Sequence, residues 1–455
     1  MSSHPATVPS AGPREVLALA IPAFLALVAE PLFLLVDAAV VGRLGVVPLA
    51  GLGTASSILL TASGVFVFLA YGTTSVVARQ VGAGSRRAAI EVGTGGVWLA
   101  AGLGLLAAFV VAVFAEPLGA VFGSSPAALA QAVTYLRISA LGLPGMLLVL
   151  ATTGILRGLQ DTRTPLVVSV IGFGTNAALS VAFVLGLGMG IAGAAWATVI
   201  AQWGMALALL GVVLLQGRTV GASLRPRMGR VVDAALDGTP LLVRTLALRA
   251  IILLTVAAAA AFGDVPLAAY QVTTTIWSLL TFALDALAIA GQALTGAALG
   301  GGNAQGARAA TALMVRWGVW GGVVLGGVVL ALHRVLPHLF TEDPAVRAAI
   351  AGGLVVVALA QPLSGYVFVV DGVLIGAGDG RWLAGSMVLV LLAYVPVILL
   401  ARAVGGGHGP VTAVVVLWLA FSSFMLVRGG FMAWRIRGDA WAVTGSERPK
   451  RRARG

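Results

Sequence analysis

Apolar residues run through this chain in long blocks separated by short polar gaps. Read block by block, the pattern predicts twelve helices near 16–42, 48–78, 88–115, 127–152, 164–186, 190–215, 240–262, 266–299, 309–334, 346–374, 382–404 and 411–436. A helix that crosses a bilayer needs about 20 apolar residues, and each block meets that length. The longest polar interval, Gln216 to Gly238, divides the twelve into six and six. The expected fold is an all-α polytopic membrane protein with two six-helix lobes. Its parts are a tail over 1–15, an amino-terminal lobe over 16–215, an interlobe loop over 216–239, a carboxy-terminal lobe over 240–436 and a basic tail over 437–455.

Composition narrows the function classes. Of the 455 residues 59% are hydrophobic and only 10% are charged, against about 25% charged in soluble domains. A soluble enzyme, a coiled coil and a disordered scaffold are excluded. The chain has no cysteine, which excludes disulfides, iron–sulfur clusters and thiolate zinc. Four scattered histidines give no metal site. The formal charge of +12 would suggest nucleic acid if it were clustered on one face. Instead the arginines concentrate in alternate gaps: Arg79, Arg86 and Arg87; Arg157 and Arg163; Arg218, Arg225, Arg227 and Arg230; Arg381; Arg435 and Arg437. That alternation is the positive-inside pattern. It places both termini in the cytoplasm of a cell (inner) membrane protein whose surroundings are lipid, not nucleic acid. Met1 to Pro13 lacks the basic region of a cleaved signal, so the first span is expected to be retained.

The two halves align without a gap when one is shifted by 218 positions. Gly154-Ile-Leu-Arg-Gly-Leu-Gln-Asp161-Thr-Arg163 then falls on Gly372-Val-Leu-Ile-Gly-Ala-Gly-Asp379-Gly-Arg381. The same shift places Pro22, Pro48, Pro126 and Pro144 on Pro240, Pro266, Pro344 and Pro362. Six spans per copy give both lobes the same orientation, with the pseudo-twofold axis along the membrane normal. Secondary transporters built this way hold substrate and ion near the midplane and work by alternating access.

Ionisable groups inside spans are expensive and mark function. Four acids qualify: Glu30 and Asp37 in the first predicted span, Asp285 in the eighth and Asp371 in the tenth. Seven residues turn nearly two full turns, so Glu30 and Asp37 share a face about 10 Å apart along the axis. Burial disfavours an ionised carboxylate, and a neighbouring carboxylate disfavours it further, so such a pair can load and release protons. Pro31 removes a backbone donor beside Glu30 and is a candidate hinge. Asn176 and Ser180, one turn apart, and Thr198 in the next span are candidate polar partners. Asp285 falls on Val67 under the repeat, so it serves one lobe only, with Arg249 as a possible ion-pair partner. Asp371, a turn from the end of its span, is expected to reach water by snorkelling. Arg137 is expected in a structural ion pair, and Asp161 and Asp379 in ordinary solvated or capping roles. No phosphate-binding loop and no nucleophile–base constellation is present. The chain is therefore expected to be no enzyme, without cofactor, and driven by an ion gradient.

The string Glu30-Pro31-Leu-Phe-Leu-Leu-Val-Asp37-Ala-Ala-Val-Val-Gly42, within a six-plus-six repeat, resembles the multidrug and toxic compound extrusion (MATE) transporters. Leu284-Asp285-Ala-Leu-Ala-Ile-Ala-Gly-Gln292-Ala-Leu and Asp371-Gly-Val-Leu-Ile-Gly-Ala-Gly-Asp379 look like the DNA-damage-inducible (DinF-like) branch. The resemblance covers the chain apart from its tails. It implies a monomeric antiporter exporting cationic or amphipathic toxic compounds in exchange for protons or sodium ions. It puts Asp37 at the centre of coupling, with Asn176 and Thr198 around it. Gln292, Asp285 and Asp371 would belong to the substrate cavity or its gating. Ser180 departs from the pattern, since the family carries a second aspartate there. The second carboxylate is expected to have moved to Glu30, which favours protons over sodium. Two other readings stay open: a sodium-coupled version, and a flippase or exporter of a lipid-linked precursor.

Overall fold

The computed structural model describes residues 12–121 and 125–446, with the side chain of Glu30 outside the described set. The ends of both expected tails, Arg448 to Arg454 included, also lie outside it. Regular structure among the described residues is helical throughout: α1 (Pro13–Gly42), α2 (Val46–Phe66), α3 (Phe68–Gly82), α4 (Arg86–Val113), α5 (Ala115–Ala120), α6 (Pro126–Ala140), α7 (Leu143–Gly158), α8 (Arg163–Val181) and α9 (Gly190–Thr219). There follow α10 (Met228–Ala261), α11 (Asp264–Gly300), α12 (Ala304–Leu332), α13 (Pro344–Gly376), α14 (Gly380–Gly405) and α15 (Pro410–Arg437). Among the described residues, eleven segments are long and apolar enough to cross a membrane, α2 and α3 counting as one. A twelfth is made by α6 and α7 together, bent by 52°. Helices are forced by the solvent: hydrocarbon offers no partners to a backbone N–H or C=O, so each must be satisfied within its own segment.

The chain divides into two compact units. One comprises Ile21–Thr239; the other takes the chain from Pro240 onward together with the first turns of α1. In the first unit α7 packs against α3, α4 and α9; in the other α13 packs against α11, α12 and α15. The repeat is visible in how these helices touch. A Cβ on Gly104 would lie 2.6 Å from the Pro144 Cα, and one on the equivalent Gly322 would lie 2.8 Å from the Pro362 Cα. Gly154 rests on the Ala70 carbonyl, and its equivalent Gly372 rests on that of Ala288. With no hydrophobic effect between helices in lipid, such close backbone approach supplies the packing energy.

Helix ends repeat too. Ser85 and Asn303 cap α4 and α12 by accepting from Ala88 N and Gly306 N, and Ser125 and Asp343 cap α6 and α13. The turn after α7 places Gln160 at φ 64°, and the turn after α13 places Gly378 at φ 67°. The left-handed conformation is easy for glycine and strained for glutamine. It is nonetheless retained in both copies, because it lets the chain reverse directly into the next span.

Two boundaries differ in kind from the sequence reading. The fourth span is broken at Leu141–Gly142, whereas its counterpart α13 runs straight through the equivalent positions. The Gln202 side chain occupies the space a Cβ would need at Gly142, so the break coincides with a tight crossing. The expected interlobe loop over 216–239 is helical from Met228 onward. Its apolar residues Met228, Val232 and Leu236 recur every four positions, a helical period that their polar neighbours conceal. As the expected span over 16–42 requires, α1 continues through Pro22 and Pro31 without interruption, so Pro31 marks a missing backbone hydrogen bond.

Replacing Gly104 or Gly322 by leucine should push the crossing helices apart and lower the thermal midpoint by several degrees. Gly102→Leu and Gly321→Leu should be nearly neutral, since nothing lies within 4 Å of a Cβ at either position. Unfolding of the detergent-purified variants, followed by fluorescence, checks the contrast.

Candidate functional site

Asp37 lies about a turn and a half from the end of α1 and is only 6% exposed. Its neighbours come from α8, where Asn176 and Ser180 stand one turn apart on a single face, both buried. The Asn176 Nδ2 donates to Asp37 Oδ2 at 3.3 Å, and the Ser180 hydroxyl lies beside the same carboxylate. Asp37 Oδ1, Asn176 Oδ1 and Ser180 Oγ are buried and meet no hydrogen-bond partner among the described residues. Two of these, Asp37 Oδ1 and Asn176 Oδ1, are acceptors without a donor, which a proton or a small cation satisfies, while the Ser180 hydroxyl can itself donate to the carboxylate. Leaving an acceptor bare would cost about 1–3 kcal/mol.

Thr198 reaches this site through Tyr135, a residue the sequence reading did not single out. The Thr198 hydroxyl donates to the Ala194 carbonyl at 3.0 Å, so the Tyr135 hydroxyl is the donor in their 3.3 Å contact. Tyr135 is buried on α6 within electrostatic reach of Asp37. Tyr135 belongs to a buried apolar cluster with Val40, Leu52, Leu136, Val184 and Ile191. The signal was available, since Tyr135 and Ser139 stand one turn apart and put two hydroxyls on one face of the helix. Of the predicted set, Asp37, Asn176 and Ser180 share one pocket, and Thr198 joins them through Tyr135. Glu30 falls on α1, its side chain outside the described residues. Pro31 is half-buried on the same helix, one residue beyond Glu30.

Asp285, Gln292 and Asp371 belong to the other unit. Asp285 is half-buried in the middle of α11, and Gln292 is buried where Gly376 of α13 meets its backbone. Asp371 does not snorkel. It is buried between two arginines: Arg244 of α10 contacts both of its oxygens, and Arg428 of α15 donates to Oδ1 at 2.7 Å. All three side chains are less than a tenth exposed. A carboxylate that can make three charge-assisted contacts inside the protein gains nothing by reaching for water. Arg244 and Arg428 fall inside predicted spans and went unremarked. The general rule that an intramembrane arginine must have an acid partner pointed to them. Asp379 is likewise buried, held by Arg435 at 2.6 and 3.1 Å, whereas Asp161 caps α8 through Thr164 as expected. Arg137 is exposed and has no ion pair among the described residues.

The repeat makes the two units directly comparable. Shifted by 218 positions, Asp37 and Asn176 fall on Thr255 and Tyr394. Those two residues also touch, at 2.6 Å, and Tyr394 must donate because Thr255 already donates to the Ile251 carbonyl. One helix crossing thus carries a carboxylate–amide contact in the first unit and a neutral hydroxyl pair in the second. Around the neutral pair lies a cluster of rings, Tyr270, Trp277, Trp418, Phe421 and Phe424.

The family model described as MatE matches residues 22–182 and again 240–400, the two stretches related by the 218-residue shift. DETOXIFICATION 44, chloroplastic, of Arabidopsis thaliana is 33% identical over 96% of this chain and 85% of its own length. DNA damage-inducible protein F of Escherichia coli K12 is 29% identical over 92% of this chain and 91% of its own. Among solved structures, a MATE transporter in the bent conformation superposes with a TM-score of 0.85 at 21% identity, covering 94% of this chain and 96% of that one. A transporter of the MOP superfamily from Pyrococcus furiosus gives 0.84 at 20% identity over the same shares.

Asp371→Asn should destabilise the fold by about 3–5 kcal/mol, because it leaves two buried guanidinium groups without their counter-charge. Exchanging Arg244, Arg428 and Asp371 together for leucine should recover much of that loss, because no buried charge is then left unpaired. Thermal unfolding of the single and triple variants measures both effects.

Proposed function

Because the chain belongs to the MATE family of multi-pass membrane transporters, we propose that it is a proton-driven antiporter exporting cationic or amphipathic organic compounds. The observation that carries this reading is the pocket around Asp37: a buried carboxylate held by one amide, with acceptor oxygens lacking donors. A proton taken up by this carboxylate removes the one buried negative charge described in the pocket, so the group can exchange charge as the pocket opens to either side.

The cycle starts from the outward-open state. Protonation removes the negative charge of Asp37, with Glu30 as the second acid, and weakens the Asn176 contact. A cationic substrate loses its electrostatic hold and leaves outward. Loss of the contact frees α1 from α8, and the helix can bend at Pro31, where its hydrogen-bond ladder already lacks one rung. Alternating access then exposes the pocket to the cytoplasm, the proton departs, and the recharged site takes up new substrate. Tyr135 and Thr198 hold the wall of the pocket, and the chain supplies no cofactor chemistry.

Two alternatives have observations in their favour. The two open acceptor oxygens and the Ser180 hydroxyl also suit a sodium ion, which prefers oxygen ligands. The Arg244–Asp371–Arg428 cluster suits the anionic head of a lipid-linked precursor. Reconstituted protein and a fluorescent cation separate the three. An imposed pH gradient should drive the cation, and a sodium gradient alone should not. A strict sodium requirement would replace the proton reading, and movement of a lipid-linked anion with no movement of the cation would replace the antiporter. Asp37→Asn should abolish pH-driven efflux at unchanged protein yield. Glu30→Gln should come close to it, and wild-type efflux in that variant would remove Glu30 from the coupling site.

A further inference from the structure

The segment joining α9 to α10 is clasped to the end of α4 by one carboxylate. Glu91 accepts from Arg230 at 2.5 Å, from the Ser223 backbone N–H at 3.0 Å and from Arg87 at 3.1 Å. Trp98 donates to the Leu224 carbonyl at 3.4 Å, and a Cβ on Gly95 would strike the Arg230 carbonyl. Further along, Gly238 packs on the Phe68 ring. One face of the Met228–Thr239 helix is therefore committed to the protein.

The other side is exposed, with an apolar stripe running beside Asp233 and Asp237. Met228, Val232 and Leu236 are 80%, 54% and 55% exposed. The stripe they form continues without a break into Val243, Leu246 and Leu253, the exposed face of the same helix in its membrane-spanning part. With 34 residues, α10 is about 51 Å long, well beyond the ~30 Å hydrocarbon core. Its first turns thus stand at headgroup depth while still presenting a lipid-type surface. Beside them, Arg218, Arg225 and Arg227 are exposed. Arg218 follows Leu214 and Leu215, themselves exposed on α9.

From this combination we propose that residues 218–236 form an interfacial docking surface for anionic phospholipid. Met228, Val232 and Leu236 insert among the acyl chains, and Arg218, Arg225 and Arg227 hold the phosphate headgroups. Glu91 is the positioning residue that fixes the segment in this attitude. An apolar stripe flanked by arginines is the arrangement that binds anionic membrane surfaces. The stripe's continuity with the lipid face of α10 commits it to membrane, not to a soluble partner. The proposal is independent of the transported compound and of the coupling ion.

The test uses the full chain purified in detergent, its thermal midpoint titrated with short-chain phosphatidylglycerol, phosphatidylcholine or glycerol phosphate. Phosphatidylglycerol should raise the midpoint saturably and the other two should not. Each arginine exchanged for glutamine should weaken the apparent affinity by about fivefold. Arg218→Lys, Arg225→Lys and Arg227→Lys combined should retain the response, which guards against a folding defect in the glutamine set. Met228→Ser with Val232→Ser and Leu236→Ser should lose it. An equal response to phosphatidylcholine, a wild-type response in the triple glutamine variant, or a full response to glycerol phosphate would overturn the proposal. The last outcome would indicate a soluble phosphate site in place of a membrane surface.

Discussion

Hydrocarbon gives a polar group nothing to bond with, and every arrangement in this protein follows from that. Backbone amides are consumed within helices. Helices are then held together not by apolar attraction but by the closeness that small residues permit. Gly104 on Pro144 and Gly322 on Pro362 are the same solution reached in both units. The few polar side chains left inside must find one another, and the two units do so differently.

In the first unit the polar residues converge on Asp37 without fully satisfying it. Asn176 contributes one donor, and Ser180 and Tyr135 stand near. In the second unit the buried carboxylate Asp371 is held by two arginines. The first carboxylate meets a neutral amide and a hydroxyl, the second two guanidinium groups. Both acids are buried to a similar degree. Their partners, more than their burial, set the two sites apart.

Much of this was legible in the chain. The spans follow from apolar block length, because a bilayer sets a fixed requirement of about 20 residues. The repeat follows from prolines and glycines, whose backbone demands survive when apolar residues drift. Asp37 was legible because an acid in a span is costly enough to need a reason. The partners of Asp371 were not, since Arg244 and Arg428 are 127 and 57 positions away from it and only packing brings them together. Tyr135 was hidden because tyrosine passes for an ordinary core residue. The start of α10 was hidden because Arg230, Asp233 and Asp237 make its sequence look like a loop. The break at Gly142 depends on a crossing with Gln202 that no local pattern announces.

The exchange of Asp37–Asn176 for Thr255–Tyr394 is the point at which the repeat parts from its own symmetry. Both pairs bridge the same two helices of their unit, so the contact itself belongs to the fold. What differs is the chemistry of the pair. Tyr394 donates to Thr255, and Thr255 in turn donates to Ile251, a chain in which every proton is placed. Asp37 accepts from Asn176 and has an oxygen to spare. The same crossing thus closes its hydrogen bonds in one unit and leaves an acceptor open in the other, because a carboxylate stands for a hydroxyl at one position and an amide for a phenol at the other.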